Sequence, residues 1–331
     1  MAPRASRPGP QAPADAEWRE LLARLPEASV YHSPEFHRAL SLAGLSTHLA
    51  CCRRAGRLEG VALVLLDRLL PLPLLGAKAF APAGLLAADE EARAELLDEL
   101  DRRLGRRCLY LEQFVEGRGQ DKFMAARGLR VTRHRNFLLD LAQPIESLRA
   151  GYSRGLKRNI RAAEGRGFRW RLAHGPADLA RVHQLLLETS RRVGAPPLPL
   201  PLLRAVYHEL VPAGMCRIYV AEPASRPLVV STRVELLFGG RAIDWFTGTA
   251  PEWMDSMVGS WLVDRILGDL RERGVTVFDF GGGGPVGGQY GPAEFKRRFG
   301  GREIEVNRHQ RVYHPLLTRL ARGAWRLLRR R

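Results

Sequence analysis

Cysteine is scarce in this chain, and the cysteines that are present have no spacing typical of a metal site or a disulfide framework. The four are Cys51, Cys52, Cys108 and Cys216; none stands in a C-x-x-C pair, and two are adjacent. The nine histidines are scattered without ligand spacing. We therefore expect no metal site, and we interpret the cysteines as reduced, mostly buried thiols of a cytoplasmic protein.

Long uninterrupted apolar segments are also missing. The longest apolar run, 61–75, is interrupted by Asp67, Arg68 and two prolines, which excludes a transmembrane helix. The N-terminal segment 1–16 is rich in proline and alanine and lacks an apolar core. This composition predicts a disordered lead and not a signal peptide. We accordingly expect no transmembrane segment.

The signature loops of several enzyme classes are absent as well. The sequence contains neither a G-x-S-x-G elbow nor a Walker loop. The segment 281–288 is rich in glycine, but its glycines do not open a long helix with a suitably placed lysine. The segment therefore gives little support to a nucleotide-binding loop.

Basic residues are in clear excess. The chain has 52 lysines and arginines against 35 acidic residues, which gives a formal net charge of +17. Such a charge favours polyanionic partners: RNA, anionic lipid or a phosphorylated substrate. Arginine greatly outnumbers lysine, which fits solvated basic faces equally well, so both interpretations stay open. A hydrophobic fraction of 45% predicts globular domains.

One stretch stands out near the C-terminal end of the chain. Residues 275–280 read as a buried strand of β-branched and aromatic residues that carries Asp279 near its end. We predict that Gly281–Gly284 form a turn after this strand, followed by a short basic helix around Lys296. A carboxylate at the end of an apolar strand suits the floor of a site. The alternative is that Asp279 only pairs with Lys296 or caps a turn.

The order of predicted elements indicates two copies of one mixed α/β unit. The first copy has helices at 33–42, 89–104 and 122–127 and strands at 58–66, 108–114 and 135–141; the second has strands at 217–222, 228–238, 241–249, 275–280 and 303–313, with a helix at 255–273. Phe123, Gly128 and Arg130 match Phe295, Gly300 and Arg302 at one offset. The predicted organisation is a disordered lead at 1–16, units at 17–150 and 151–314, and a basic helix at 315–331.

Several motifs resemble those of a known family. The sequence F-D-F-G-G at 278–282, followed by F-K-R-R-F-G-G at 295–301, resembles the C-terminal signature of FemAB-like and BioF2-like acyltransferases of the GNAT superfamily. The segments 153–164 and 33–36 resemble the basic helix and the usual opening of that family. The resemblance extends over residues 30 to 320. It implies two tandem GNAT-like domains with mixed sheets.

The resemblance also implies site residues for acyl transfer. Asp279 would act as a base or orient the acceptor, and Lys296 would neutralise a phosphate or the oxyanion. Trp245 and Thr247 would line the acyl channel; core packing is the alternative for the aromatic residue. Arg297 would bind substrate, and Gly281 and Gly282 would contribute to donor binding.

The acyl donor is the open part of this interpretation. GNAT enzymes that use CoA carry a Q/R-x-x-G-x-G/A loop whose amides hold the pyrophosphate at a helix N-terminus. In the corresponding stretch, 251–260, only Gly259 and Ser260 fit the pattern, and Glu252 and Asp255 would repel phosphate. The donor is therefore undecided between acyl-CoA and aminoacyl-tRNA, and we expect no tightly bound cofactor. A strongly basic chain would suit tRNA.

Three further segments each allow two interpretations. Arg154, Arg158 and Arg161 form one face of the helix predicted at 153–164, either as a phosphate-binding row or as a solvated face. The proline-leucine segment 196–201 predicts an extended loop that serves as a connector or as a lid.

The third segment is the basic C-terminal helix. It carries Leu316, Leu320 and Ala324 on one side and arginines on the other. The leucine side either packs on the domain or lies on an anionic membrane surface. The second interpretation would make the protein peripheral to the inner face of the membrane.

These observations predict an N-acyltransferase or aminoacyltransferase of FemAB/BioF2-like type. Its acceptor would be an amine or hydroxyl of a cell-envelope or exopolysaccharide-related compound. One alternative is a CoA-dependent N-acetyltransferase for a small metabolite. The other is a non-catalytic module that binds RNA or an anionic membrane.

Overall fold

The structure is a computed structural model that describes residues 12–68, 77–286 and 291–328. The first part of the chain forms helices and strands in the order α1 (Asp15–Arg24), α2 (Pro34–Leu42), β1 (Thr47–Arg54), β2 (Arg57–Arg68), β3 (Ala77–Ala81), β4 (Leu86–Ala87), α3 (Glu90–Leu104), β5 (Cys108–Glu116), α4 (Asp121–Ala126), β6 (Arg130–Asp140) and α5 (Ile145–Ala150).

The second part continues with α6 (Arg154–Glu164), β7 (Phe168–Leu172), α7 (Gly175–Val193), α8 (Leu200–Leu210), β8 (Cys216–Pro223), β9 (Ser231–Phe238), β10 (Arg241–Thr249), α9 (Val258–Glu272), β11 (Val277–Pro285), α10 (Gly291–Arg298), β12 (Arg302–Val312) and α11 (Pro315–Leu328). The chain divides into two compact units, one formed by Met1–Arg133 with Val306–Arg331 and the other by His134–Glu305.

The first unit contains strands in the order β1, β2, β3, β5 and β12. Strands β3 and β5 run parallel, and α3 connects them; the other neighbours in this order are antiparallel. One apolar face of α3 packs on this sheet through five buried residues, which are Ala92, Leu96, Leu97, Leu100 and Leu104. These residues recur every three or four positions, which is the spacing of one face of an α-helix, and the helix predicted at 89–104 is confirmed.

The second unit repeats this arrangement. Its strands follow the order β6, β11, β10, β9, β8 and β7. Strands β10 and β11 run parallel, and α9 connects them, while the other neighbours are antiparallel. A parallel pair joined by a helix therefore occurs once in each unit, among antiparallel strands. The predicted fold class, two tandem units with mixed sheets, is confirmed.

Local sequence signals account for several helix boundaries. The Ser33 side chain accepts a hydrogen bond from Phe36 N at the start of α2, and Ser153 accepts one from Leu156 N at the start of α6. Both are N-cap contacts that satisfy an otherwise unpaired backbone N–H. Helix α7 ends at Gly194, which has a φ of 65°, a conformation that glycine adopts without strain.

Two predicted loops are wrong in the structure. Gly281–Gly284 do not form a turn; they continue β11, which ends at Pro285. The segment 196–201 is not entirely a loop, because α8 begins at Leu200 with Pro201 in its first turn. A proline fits there because the N–H that it lacks would have no partner inside the helix.

The predicted segment limits compare with the structure as follows. Of the predicted lead 1–16, residues 1–11 lie outside the described part of the chain, and α1 begins at Asp15. The first compact unit combines an early and a late segment of the chain, with the second unit between them in sequence. The predicted units 17–150, 151–314 and 315–331 are instead each one continuous segment. The predicted limits 17–150, 151–314 and 315–331 describe the repeat in the sequence, and they stay a prediction.

The C-terminal helix packs in an unexpected way. Leu317 and Ala321 of α11 contact Leu109 and Tyr110 of β5. Leu316 and Leu320, on the face predicted to be apolar, are instead exposed. The interpretation that this face packs on the domain is therefore wrong for these two leucines. Ala324 and the last arginines lie where no side chain is described.

Gly248 lies where α7 crosses β10. A Cβ atom at this position would lie 2.7 Å from the carbonyl carbon and oxygen of Leu185 and 2.9 Å from Leu186 N. Backbone atoms of a helix cannot move aside alone, so Gly248→Ala should lower the free energy of unfolding by about 3 kcal/mol. Denaturant unfolding of the two proteins measures this change.

Gly268→Ala provides the control. Gly268 lies inside α9, and no atom lies within 4 Å of a Cβ built there. Because alanine is the better helix former, we expect this variant to gain up to about 1 kcal/mol. Equal stability of the two variants would contradict the close packing of α7 on β10.

Candidate active site

Asp279 is buried in the second unit, at the point where β11 changes from regular pairing to bulges. It pairs in register with Leu138 of β6 and Ile243 of β10. Its Oδ2 accepts a hydrogen bond from Arg241 Nη2 at 2.6 Å. Its Oδ1 accepts from Asn136 Nδ2 at 2.8 Å and from Gly281 N at 2.7 Å. Both oxygens of this carboxylate are thus engaged.

The glycines after Asp279 form two bulges in the pairing of β11 with β6. The register shifts between Asp279 and Gly282 and again between Gly282 and Pro285. Gly281 and Gly284 have φ values of 73° and 76°, in the left-handed region that favours glycine. These bulges turn backbone carbonyls out of the regular pairing, which makes them available to a side chain from α10.

That side chain is Lys296. Its Nζ donates to the carbonyl oxygens of Gly281 and Gly282, each at 2.7 Å, and it lies 5.8 Å from the centroid of the Phe137 ring. Lys296 is 8% exposed. Burial lowers its pKa to about 8, although the nearby carboxylates of Asp244 and Asp279 favour its charged form. The structure therefore brings the two predicted catalytic residues into one charged cluster.

Three more charged residues complete this cluster from β9 and β10. Arg233 forms an ion pair with Asp244, and both side chains are buried. Glu235 pairs in register with Asp244 and has no exposed surface. Burial and the adjacent Asp244 raise the pKa of the Glu235 carboxyl group well above its usual value. We name Arg233, Glu235, Arg241, Asp244, Asp279 and Lys296 the charged cluster.

Sequence reasoning missed four of these six residues, as well as Asn136. The available signal was the occurrence of Arg233 and Glu235 on either side of Val234 in a strand that continues with Leu236, Leu237 and Phe238, and of Asp244 in the next strand. Charged residues rarely become buried unless they are paired. Alternating charges in a strand of this kind therefore point to a partner side chain.

The residues predicted to line the substrate channel lie on the same strands. Trp245 is half-buried at the bulge between Asp244 and Phe246, and its ring lies edge-on to Phe246 with centroids 4.8 Å apart. Thr247 is exposed, and its Oγ1 donates to Thr232 O at 3.4 Å. These positions follow directly after Asp244, so both residues stay predictions for substrate binding.

Arg297, also predicted for substrate binding, has contacts within the unit. It donates to Glu303 Oε2 at 2.9 Å, and its guanidinium lies 5.3 Å from the centroid of the Phe137 ring. A substrate would have to compete with Glu303 for this side chain. Its predicted role is untested.

The predicted arginine row on α6 faces solvent. Leu156, Ile160 and Ala163 on the other side of this helix are buried in the core of the unit. Arg154, Arg158 and Arg161 are exposed and make no hydrogen bond or ion pair with any described residue. They are free to contact an anion, and their predicted role in phosphate binding stays a prediction.

The predicted donor loop at the start of α9 has its amides largely engaged. Val258 N donates to the Ser256 side chain at 3.3 Å, and Ser260 N and Trp261 N both donate to Met257 O at 3.1 Å. A helix N-terminus binds a phosphate through N–H groups that have no other partner. Gly259, which is predicted to bind the donor, lies between Val258 and Ser260, whose N–H groups already have acceptors.

All four cysteines are free thiols, and Cys52, Cys108 and Cys216 are buried. Among the described residues, no group of three or more His, Cys, Asp or Glu side chains has a geometry that could hold a metal ion. None of the described helices has both the length and the apolar character that a membrane crossing requires.

The family comparison matches the unit that contains the charged cluster. Residues 150–297 match the model of the Acetyltransferase (GNAT) domain. This part of the chain is a GNAT domain. It extends from the last residue of α5 into α10 and includes all six residues of the charged cluster. None of the curated proteins matches the chain.

Solved structures share the fold of the whole chain, GNAT domain included. The crystal structure of FemX has a TM-score of 0.73 at 15% identity and covers 94% of this chain and 98% of its own. A C-terminal domain assigned to a lysylphosphatidylglycerol synthetase from Agrobacterium fabrum has a TM-score of 0.58 at 12% identity, covering 92% and 93%. A tandem GNAT protein from the clavulanic acid biosynthesis pathway has a TM-score of 0.58 at 15% identity, covering 90% and 94%.

These comparisons confirm the predicted FemAB-like GNAT fold and the prediction of an acyltransferase. They leave the acceptor and the donor open. The roles of the predicted site residues stay predictions.

Proposed function

We propose that this acyltransferase transfers an acyl or aminoacyl group to an amine or hydroxyl of a cell-envelope-related acceptor, with Lys296 as the central cation of the site. The observation that carries the proposal is the placement of Lys296 on the carbonyls of Gly281 and Gly282 inside the GNAT domain. A buried lysine is costly unless its charge is used or compensated. The carboxylates of Asp244 and Asp279 favour its charged form, which gives the site a fixed cation.

The chemical step needs few groups. The acceptor nitrogen or oxygen attacks the acyl carbonyl carbon, and a negative charge develops on the carbonyl oxygen. The donor's leaving group then departs with its electron pair and takes up the proton that the acceptor loses. A fixed cation in a site with little water stabilises that developing charge strongly. Lys296 supplies this cation in the proposal. Asp279 orients Arg241, because its two oxygens accept hydrogen bonds from Arg241, Asn136 and the Gly281 N–H.

For the donor, the start of α9 supports an aminoacyl-tRNA over acyl-CoA. The amides of Val258, Ser260 and Trp261 are engaged within the chain, so little of the usual pyrophosphate site is left for CoA. The exposed arginines Arg154 and Arg158 would suit the phosphates of a nucleic acid. The fold shared with FemX and with the lysylphosphatidylglycerol synthetase domain supports an acceptor related to the cell envelope.

A transfer assay tests this proposal. Purified protein would be incubated with tRNA charged with radiolabelled amino acids, or with labelled acetyl-CoA or long-chain acyl-CoA, in the presence of peptidoglycan precursors or phosphatidylglycerol. We expect label to move from a charged tRNA to one of these acceptors. Transfer from acetyl-CoA to a small amine instead would favour the metabolite acetyltransferase. Absence of transfer from every donor would favour a non-catalytic module.

Because N–H groups at the start of α9 already donate hydrogen bonds within the chain, we predict weak acetyl-CoA binding. A ligand at a hundredfold its dissociation constant stabilises a protein by about 2.7 kcal/mol, which is a shift of several degrees in the unfolding midpoint. We expect little shift with millimolar acetyl-CoA, measured by thermal unfolding. A shift that saturates at micromolar concentrations would contradict the interpretation of α9 and restore acyl-CoA as the donor.

A further inference from the structure

Helix α11 presents two leucines to solvent on a face that does not pack. Leu317 and Ala321 contact β5, whereas Leu316 and Leu320 are 74% and 69% exposed. Successive residues of an α-helix are about 100° apart, so the exposed pair lies on a different face from the packed pair. Single exposed leucines are common, but a pair one turn apart forms a continuous apolar stripe.

The surroundings of this stripe are basic. Arg319 is exposed between the two leucines and makes no hydrogen bond or ion pair with any described residue. No aspartate or glutamate occurs in the sequence after Glu305, while eight arginines do. An exposed apolar stripe on a helix without acidic residues is the pattern of helices that lie in a membrane interface.

A second element adds charge next to the start of this helix. His314 Nε2 lies 2.9 Å from the carbonyl oxygen of Gly105, which brings the turn between α3 and β5 against the beginning of α11. This turn carries Arg106 and Arg107, which are both exposed and whose side chains form no hydrogen bond or ion pair in the described part of the chain. The basic surface therefore extends beyond the helix itself.

We propose that α11 docks the protein on an anionic lipid bilayer, with Leu316 and Leu320 entering the apolar boundary and Arg319, Arg106 and Arg107 contacting lipid phosphates. A nucleic acid would also attract the arginines, but its phosphates and sugars offer no apolar region that could cover the two exposed leucines. The combination of apolar and basic groups on one surface favours a lipid membrane.

Vesicle sedimentation tests this proposal with the full-length protein. The vesicles contain phosphatidylglycerol and phosphatidylcholine in equal parts, or phosphatidylcholine alone. We expect binding to the anionic vesicles only. The double variant Leu316→Ser, Leu320→Ser should weaken this binding at least tenfold, because it removes most of the apolar area that enters the interface. Arg319→Gln should weaken binding about fivefold at low salt and less at high salt.

Matched controls separate this surface from general effects. Leu42 is 66% exposed at the end of α2, so Leu42→Ser removes an equally exposed leucine from elsewhere in the same unit. Arg204 is exposed on α8 and forms no hydrogen bond or ion pair among the described residues, so Arg204→Gln removes an equivalent charge from the other unit. Both control variants should bind the vesicles as the unaltered protein does.

Two results would overturn the proposal. One is equal vesicle binding by the double leucine variant and the unaltered protein. The other is preferential binding of transfer RNA through Arg319 with no effect of the leucines, which would identify a nucleic-acid surface. The inference does not depend on the proposed reaction, because vesicle binding is measured without any substrate.

Discussion

Replacing Lys296 with methionine should lower turnover by about 10²–10³-fold, the loss seen when one preorganised donor to a developing oxyanion is removed. Methionine keeps the length of the side chain and removes its charge. The variant also leaves the carbonyls of Gly281 and Gly282 without this donor, so we expect only a modest loss of stability. Steady-state kinetics and thermal unfolding on the same preparation measure the two effects.

Lys157→Met is the matched control. Lys157 is another of the four lysines in the sequence, and its Nζ also donates to a backbone carbonyl, that of Ala150, at 2.8 Å. It lies at the surface of α6 within the GNAT domain. We expect its loss to leave turnover unchanged. A similar decrease in both variants would mean that Lys296 has no special part in the reaction.

The pH dependence of turnover distinguishes a cationic role of Lys296 from a basic one. Burial lowers the pKa of this lysine from 10.5 to about 8. If its charge stabilises the transition state, turnover should fall as the pH rises through about 8. Lys296→Arg should remove this fall, since a guanidinium stays protonated throughout that range. Turnover that rises through pH 8 in the unaltered protein alone would identify Lys296 as a base.

Stability gives an independent check on the same pKa. Between pH 8 and 10.5 the unfolded chain binds more protons at this lysine than the folded chain does, because its folded pKa is the lower one. The contribution of Lys296 to folding stability therefore increases as the pH rises through this interval. Denaturant unfolding should show this increase in the unaltered protein and its loss in Lys296→Met.

Features set by neighbouring residues in the sequence were predicted well. The helices predicted at 33–42, 153–164 and 89–104 are present as α2, α6 and α3; α2 and α6 begin at serine N-caps, and α3 buries one apolar stripe. An N-cap needs only a side chain and an amide three residues away, and an apolar stripe needs only the helix period. Such signals are complete within a few turns of chain.

The charged cluster could not be predicted in full because its contacts depend on strand register. Asn136 and Asp279 are 143 residues apart and meet through the pairing of β6 with β11. The sequence predicts a turn at glycines 281–284 because it does not show that these residues pair with β6. Residues with positive φ suit a turn and a bulge equally well, and only the partner strand decides between them.

The C-terminal helix shows a second limit. Its sequence indicates an amphipathic helix, but Leu316 and Leu317 are adjacent, and either could start the packed face. Leu109 and Tyr110 of β5, two hundred positions earlier in the chain, select the face with Leu317 and Ala321. Periodicity identifies an apolar face and leaves its partner undetermined.

Asp279→Asn should lower the free energy of unfolding by about 2–3 kcal/mol. The carboxylate is buried and ion-paired with Arg241, so its loss leaves a guanidinium without its counter-charge. Removing one partner of a fully buried pair costs about 3–5 kcal/mol. The Arg241 side chain is 34% exposed and can turn partly to water, which places the expected loss below that range. In addition, the amide N–H₂ of an asparagine would face groups that donate to Asp279, and this repulsion adds to the loss.

The double variant Asp279→Asn, Arg241→Gln separates the structural effect from a part in the reaction. Removing both charges of the pair should restore most of the stability that the single variant loses, because no uncompensated charge is left. If Asp279 also orients Lys296 and the acceptor for transfer, turnover should stay low in the double variant despite its recovered midpoint. Unfolding midpoints and turnover, measured on both variants, decide the matter: recovery of turnover together with stability would make Asp279 a scaffold residue and leave the chemistry to Lys296.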